Sequence, residues 1–403
     1  MNRHPLTPAL VILIMSSLGL GLILLAQILT RPDLYFVNKF GLGLDYGDFY
    51  TASLMVRTGE SPYAVARYVT PPLGAIINVP LTYLPLDRVG FAVSLAIFPA
   101  VLGAVFLVHR ALTRQRPWDD LVFMTVVAAV VMLSYPFYFL MDRVNIDGFV
   151  LLVMCLGIFA LGRADAVAGV LFAVAVGLKA YPILVVLPLA AKRRWTPLVF
   201  MAIALAIFVL LTPDQWWRFV QSRLMTRGQA FRIDENGSIA NTLFYFGGFV
   251  TFHTPTSASP FAELLERLGL PLYLVLLSAV TVRDVMTGAT AGPAELRSSV
   301  VLYFPFMAAV PQLAYHYELV NLLALIPVVT WGWLQASSAA DRRALAVMTV
   351  GIGLSQFHAV AAEKVVGSVY PHVVPGLGLL AVLLGIVVAK WRDVFHVRDV
   401  RAA

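Results

Sequence analysis

Charge is what this chain has least of. Of its 403 residues, 51 are Asp, Glu, Lys or Arg, or 13%, while 60% are hydrophobic. A soluble domain carries about 25% charged residues because water must solvate its surface. With so few charges and a mean hydropathy of +0.83, a soluble globule of this size is excluded. Disordered, collagen-like and coiled-coil chains are excluded on the same composition. Cysteine is almost absent: Cys155 stands alone in the apolar run VLLVMCLGIFA. No disulfide within the chain and no thiolate metal site can form. The metal spacings His-Glu-x-x-His and Asp-x-Asp are missing too, and Gly41-x-Gly43 lacks the third glycine of a dinucleotide loop, since position 46 is Tyr. No metal and no cofactor are therefore expected. The net charge of +7 sits in short loops between apolar runs, which argues for membrane orientation and against a nucleic-acid partner.

Long apolar runs are what the chain does have. A spanning helix needs about 20 mainly apolar residues. Candidate crossings lie near 8–29, 88–109, 120–139, 147–162, 165–178, 182–191, 197–212, 264–282, 298–313, 319–336, 344–361 and 371–390. The fifth and sixth are short and divided by Lys179-Ala-Tyr-Pro182, so they read as two spans or as one broken element. The expected architecture is all-α, a single polytopic domain over 1–403 with about 10–12 transmembrane helices. Loops 110–119, 192–196, 283–297 and 341–343, with Arg163, carry eleven Lys or Arg; the opposite short loops carry three, Arg143, Lys179 and Lys364. Basic short loops stay cytoplasmic. This places both termini inside, with a basic tail at about 391–403, and leaves two long loops outside, at about 30–87 and 213–263. Asp142, Asp147, His316, Glu318, His358 and Glu363 fall on the same external side, where a working site is expected.

Residues 41–85 are the most informative. Asp48 to Arg57 reads as a short amphipathic helix with Arg57 turned to water. Asp45 and Asp48 stand at its start, where a carboxylate either caps the helix or serves as a base. Gly59-Glu-Ser-Pro-Tyr63 is a turn by composition. Leu73 to Leu84, bounded by Pro71-Pro72 and Pro85, is an apolar hairpin or re-entrant piece too short to span. Further along, Lys179 lies between apolar runs, where an ammonium either snorkels to the interface or faces a polar cavity. The segment from Arg218 to Arg232 has four arginines and no acid; it reads as a solvated face, a surface for anionic headgroups or a source of phosphate ligands.

The order Asp48-Phe-Tyr-x-Ala, Gly59-x-Ser-Pro-Tyr63, Pro71-Pro-Leu73, Pro80-Leu81 and Leu84-Pro85 resembles the first external loop of GT-C glycosyltransferases, and more narrowly glycosyltransferase family 87, which includes polyprenol-phosphate-mannose-dependent α-mannosyltransferases. Asn145 in Asp142-Arg-Val-Asn-Ile-Asp147, the pair Ala168-Gly169 followed by Leu178-Lys179-Ala-Tyr-Pro182, Asn236-Gly-Ser238 with Asn241, and Tyr315-His-Tyr-Glu318 resemble later motifs in the same order. Arg143 departs from the family pattern, which often has Gln near that place. The resemblance implies sugar transfer with inversion, mannose first, from a polyprenyl-phosphate donor to a lipid or glycan acceptor, on the external side of the cell membrane. It implies Asp48 as general base, Lys179, Arg143 and His316 at the donor phosphate, and Asp45, Tyr63, Asn145, Tyr181, Asn241 and Glu318 around donor sugar or acceptor. A leaving phosphate wants cations or N–H donors, and the missing Asp-x-Asp triplet suits a lipid-phosphate donor better than a nucleotide sugar. Two rivals fit the hydropathy: a transporter, which would place facing charges at the midplane, and a scaffold in which the proline-rich hairpin is an interface.

Overall fold

The computed structural model describes residues 43–65, 67–113, 117–225, 238–252, 259–288, 292–309, 316–357 and 373–395. The crossing expected at 8–29, the end of the tail, and Arg227, Arg232, Asn236, His358 and Glu363 lie outside the described residues. Among the described residues all regular structure is helical, and the protein is an all-α polytopic membrane protein. Leu86–Leu112, Pro260–Thr287, Glu318–Gln335 and Val373–Trp391 are each long and apolar enough to cross a bilayer. Two helix pairs are apolar enough but bent, each a broken span or a re-entrant loop: Asp120–Leu133 with Tyr135–Arg143 turns by 65°, and Trp195–Leu211 with Pro213–Ser222 by 99°. Described helices of spanning length thus number four to six, fewer than the apolar runs, because a run of apolar residues need not be one continuous helix.

Proline sets most of the breaks, since it lacks an N–H and its ring clashes with the carbonyl four residues back. Pro213 ends the Trp195–Leu211 direction. Pro182 starts the 3₁₀ turn Tyr181–Val185 beyond Asp165–Leu178, so Lys179 and Ala180 lie at an interruption. The expected crossing at 298–313 is divided as well, into Pro293–Val301 and Phe304–Ala308 with Pro305 in its first turn. Both pieces are buried in protein, so this segment is core and not a lipid-facing span in its described part.

Of the four helices of spanning length, Glu318–Gln335 is the most enclosed, with Leu319, Val320, Leu322 to Ile326, Val328 and Val329 all buried. It begins as an unusually long 3₁₀ run, His316–Ala324, a geometry that normally ends after three or four residues. Tyr135–Arg143 and Leu86–Leu112 pack against this run. At the other end, Ala339–Ser355 starts on a capping box: Ser338 Oγ accepts from Asp341 N–H at 3.1 Å and Asp341 accepts from Ser338 N–H at 3.1 Å. This helix lies directly on Val373–Trp391, and a Cβ at Gly378 would stand 2.7 Å from Gly351 O. Small residues at such crossings let backbones approach where lipid offers no hydrophobic drive. Phe91, Leu95, Val275 and Val388 stay exposed on the bundle exterior, as expected where the solvent is acyl chain.

Candidate functional site

Helix Leu44–Arg57 begins four residues before the expected start. Its N-cap is Gly43 at φ 80°, a left-handed conformation open to glycine, and the cap has no side-chain hydrogen bond. Gly43 N–H donates to Asp142 O at 2.7 Å, which fastens the helix start to the end of Tyr135–Arg143. The carboxylates at 45 and 48 are thus released from capping. Tyr46, Phe49, Ala52 and Ser53 form the buried face. Arg57 is exposed yet donates to Thr82 O at 2.8 Å and lies 4.9 Å from the centre of the Tyr83 ring, so it holds the Pro72–Tyr83 hairpin as well as meeting water.

A tight turn, Arg143-Val-Asn-Ile-Asp147, brings the next group of side chains. Val144 sits at φ 50°, ψ 50°, an outlying conformation for a β-branched residue. Strain of this kind costs about 1–3 kcal/mol and persists where the surroundings impose it. The turn aims two side chains at Asp45. Asn145 Nδ2 donates to Asp45 Oδ2 at 2.6 Å, and Arg143 Nη1 lies 3.5 Å from Asp45 Oδ1. The Arg143 guanidinium also rests over Phe139, 5.4 Å from the ring centre. Asn145 Oδ1 accepts from Asp147 N–H at 3.2 Å, so one amide orients both acids.

Asp147 is fully buried and receives two partners from the break after Asp165–Leu178. Lys179 Nζ lies 3.2 Å from its Oδ2, and Tyr181 OH donates to its Oδ1 at 2.7 Å. Asn321 Nδ2 reaches Tyr181 OH at 3.4 Å, which brings in the central 3₁₀ run. Glu318, also buried, acts electrostatically on Lys179 and Tyr181, as Asp45 does on Lys179. Four segments distant in sequence therefore meet: 45–48, 142–147, 179–181 and 318–321. Asp48 is half-buried and makes no hydrogen bond or ion pair among the described residues. Burial pushes its carboxyl above the ordinary range; Arg67 opposes the shift, Asp45 adds to it and Arg143 opposes it.

Of the eight expected site residues other than Asp48 and His316, six thus belong to this cluster: Asp45, Arg143, Asn145, Lys179, Tyr181 and Glu318. Tyr63 is put to a different use. Its hydroxyl donates to Thr70 O at 2.9 Å, and its ring packs on Tyr68 and Phe219. Asn241 is buried in Ile239–Phe252, where its N–H donates to Ser238 Oγ at 3.3 Å; no described contact joins it to the cluster. His316 opens the 3₁₀ run two residues before Glu318. Sequence reasoning noted Asp147 as an external acid and missed that it holds Lys179 and Tyr181; Asn321 it passed over. The available signal was an acid two residues after Asn145 and a polar amide at the head of an apolar span.

A second charged group lies elsewhere in the bundle. Lys192 Nζ stands 3.3 Å from Glu295 and 3.6 Å from Asp284, and Lys390 Nζ also meets Asp284. Each charge here faces an opposite one, which makes an ionic tie between helices. Around Asp48, by contrast, the acids Asp45, Asp147 and Glu318 stand with Arg143 and Lys179.

The sequence pattern of glycosyltransferase family 87 matches residues 68–361, nearly three quarters of the chain, including the 142–147, 179–181 and 318–321 segments. No curated protein and no solved structure matches the chain. The chain accordingly belongs to glycosyltransferase family 87, a family of membrane glycosyltransferases.

Proposed function

We propose that the protein transfers a sugar, mannose by first choice, from a polyprenyl-phosphate donor to a lipid or glycan acceptor at the external face of the cell membrane, with inversion. In this reading Asp48 takes the proton of the acceptor hydroxyl as that oxygen attacks the anomeric carbon, and the lipid phosphate leaves. The observation that carries it is the contrast between the two acids at the helix start. Both oxygens of Asp45 are engaged by Asn145 and Arg143. Asp48 has no such partner among the described residues, and burial raises its basicity. A base must be within reach of a hydroxyl; the Asp48 carboxylate is left open to one where that of Asp45 is engaged.

Lys179 is the cation for the departing phosphate. Asp147, itself held by the Tyr181 hydroxyl, keeps its ammonium in place, as a fixed charge opposite a developing anion requires. Arg143, 3.5 Å from Asp45, supplies a guanidinium of the kind that grips phosphate oxygens in pairs. Asn145, Tyr181, Asn321 and Glu318 offer donors and acceptors for sugar hydroxyls.

The test is a transfer assay with purified protein, a panel of polyprenyl-phosphate sugars and radiolabelled product detection. Asp48→Asn keeps shape and should still bind donor while losing about 10² or more in transfer rate, as removal of a general base does. Asp45→Asn should lose less. Near-normal turnover by Asp48→Asn, with Asp45→Asn inactive, moves the base to Asp45. Activity in both sinks the assignment.

A further inference from the structure

We propose that Gln356 is a positioning residue for this site, setting the 318–321 run against the 135–143 helix; the inference rests on the transferase reading given above. Gln356 is the C-terminal cap of Ala339–Ser355 and is completely buried. A buried primary amide in a membrane bundle needs partners for its oxygen and its nitrogen, and those of Gln356 join two separate elements. Its Oε1 accepts from Ser134 Oγ, and its backbone O accepts from Tyr135 N–H at 3.2 Å. Its Nε2 donates to Leu319 O at 3.3 Å and to Ser355 Oγ at 3.0 Å.

Each contact lies at a point of control. Ser134 is the N-cap of Tyr135–Arg143, accepting from Phe137 N–H at 3.3 Å, and that helix ends in Asp142 and Arg143. Leu319 follows Glu318 directly, in a 3₁₀ run too long to be secured by its own ladder. One amide therefore pins the origin of the helix that delivers Arg143 and the backbone that delivers Glu318. Both of those side chains face the Lys179–Asp45 region, although Gln356 touches neither. A displacement of about 1 Å in such groups is enough to cost large factors in rate or binding.

Gln356→Met tests this, since methionine fills a similar volume with an unbranched chain and removes both polar ends. Thr349→Val is the comparison: Thr349 lies on the same helix, is buried, accepts from Trp333 at 3.3 Å and donates to Leu345 O at 2.8 Å, but contacts neither site segment. Two readouts are taken on wild type and both variants: donor KM, which a smaller fraction of folded enzyme does not alter, and hydrogen exchange of residues 135–143 and 317–324. Gln356→Met should raise donor KM about fivefold or more, a loss of binding and not of enzyme amount, and should speed exchange in both segments. Thr349→Val should do neither. Wild-type donor KM in Gln356→Met, in an active preparation, overturns the proposal, as does an equal shift in Thr349→Val. If wild type transfers from no polyprenyl-phosphate sugar, the transferase donor reading has failed, and exchange alone decides the tie: faster in both segments only for Gln356→Met supports it, and unchanged exchange refutes it.

Discussion

Removing one member of the Lys179–Asp147 pair should damage stability more than removing both. Asp147 is 0% exposed at its side chain and Lys179 12%, with 3.2 Å between charged atoms. Asp147→Asn keeps the volume but strands the ammonium. Breaking a buried ion pair this way costs about 3–5 kcal/mol. Two features place this variant at the lower end: Glu318 and Asp45 still act on Lys179, and a lysine can carry its head toward water. Lys179→Met strands the carboxylate, whose remaining hydrogen bond among the described residues is from the Tyr181 hydroxyl and whose short stem cannot reach water; it should cost the larger amount. The double variant Asp147→Asn/Lys179→Met holds no stranded charge and should lose about 1 kcal/mol, since neutral replacement of a buried pair is often nearly harmless. The coupling then comes to about 5 kcal/mol or more, far outside the range of additive sites. Denaturant unfolding in detergent measures stability on the four proteins, and the transfer assay runs beside it. Stability should return in the double variant while donor use stays lost, because the cation for the phosphate is gone. Single losses that add up to the double would refute the coupling. Wild-type donor kinetics in the double variant would reduce Lys179 to a structural residue.

Helix content and the membrane class were legible because composition and apolar run length are properties of the chain alone. One member of the candidate cluster stood out as well: Lys179 is an ammonium between apolar runs, costly in a membrane unless it has a function or a partner, and it pairs with Asp147. What could not be read was partnership. Asp45 and Asn145 are 100 residues apart in sequence, and Gln356 and Ser134 are separated by 222; no local periodicity encodes those meetings. The division at 302–303 was hidden because Phe304 and Met307 are as apolar as a lipid-facing run, and only Pro305 hints at the break. Tyr63 shows the same limit: nothing local in its Gly-Glu-Ser-Pro turn tells that its hydroxyl donates to a backbone carbonyl seven residues away.

Three further outcomes are expected. Cysteines placed at the exposed positions Glu60 and Arg193 should react with an impermeant thiol reagent from opposite sides of the membrane, Glu60→Cys from outside; the native Cys155 is buried and should stay silent. Labelling of Arg193→Cys from outside would invert the topology. Gly378→Ala should destabilise the protein by about 1–3 kcal/mol, the usual cost of overpacking, because the new methyl would meet Gly351 O at 2.7 Å; an unchanged unfolding midpoint would show that the helix pair can part at no cost. The acid limb of the activity profile should lie above pH 3.8, the ordinary Asp value, since burial raises the Asp48 carboxyl from there. The sign follows from the base role: the ionised form is active, so activity is present above the folded pKa and lost as pH falls through it. The neighbours then order the variants. Arg67 and Arg143 favour the carboxylate while Asp45 opposes it. Arg67→Gln should therefore move the limb to higher pH and Asp45→Asn to lower pH. Arg67 is exposed, so its effect should shrink as salt rises and the Debye length falls toward about 3 Å at 1 M; the effect of burial should not. A limb that ignores both substitutions belongs to a different acid, and Asp142, buried on the same turn, would be the next to replace.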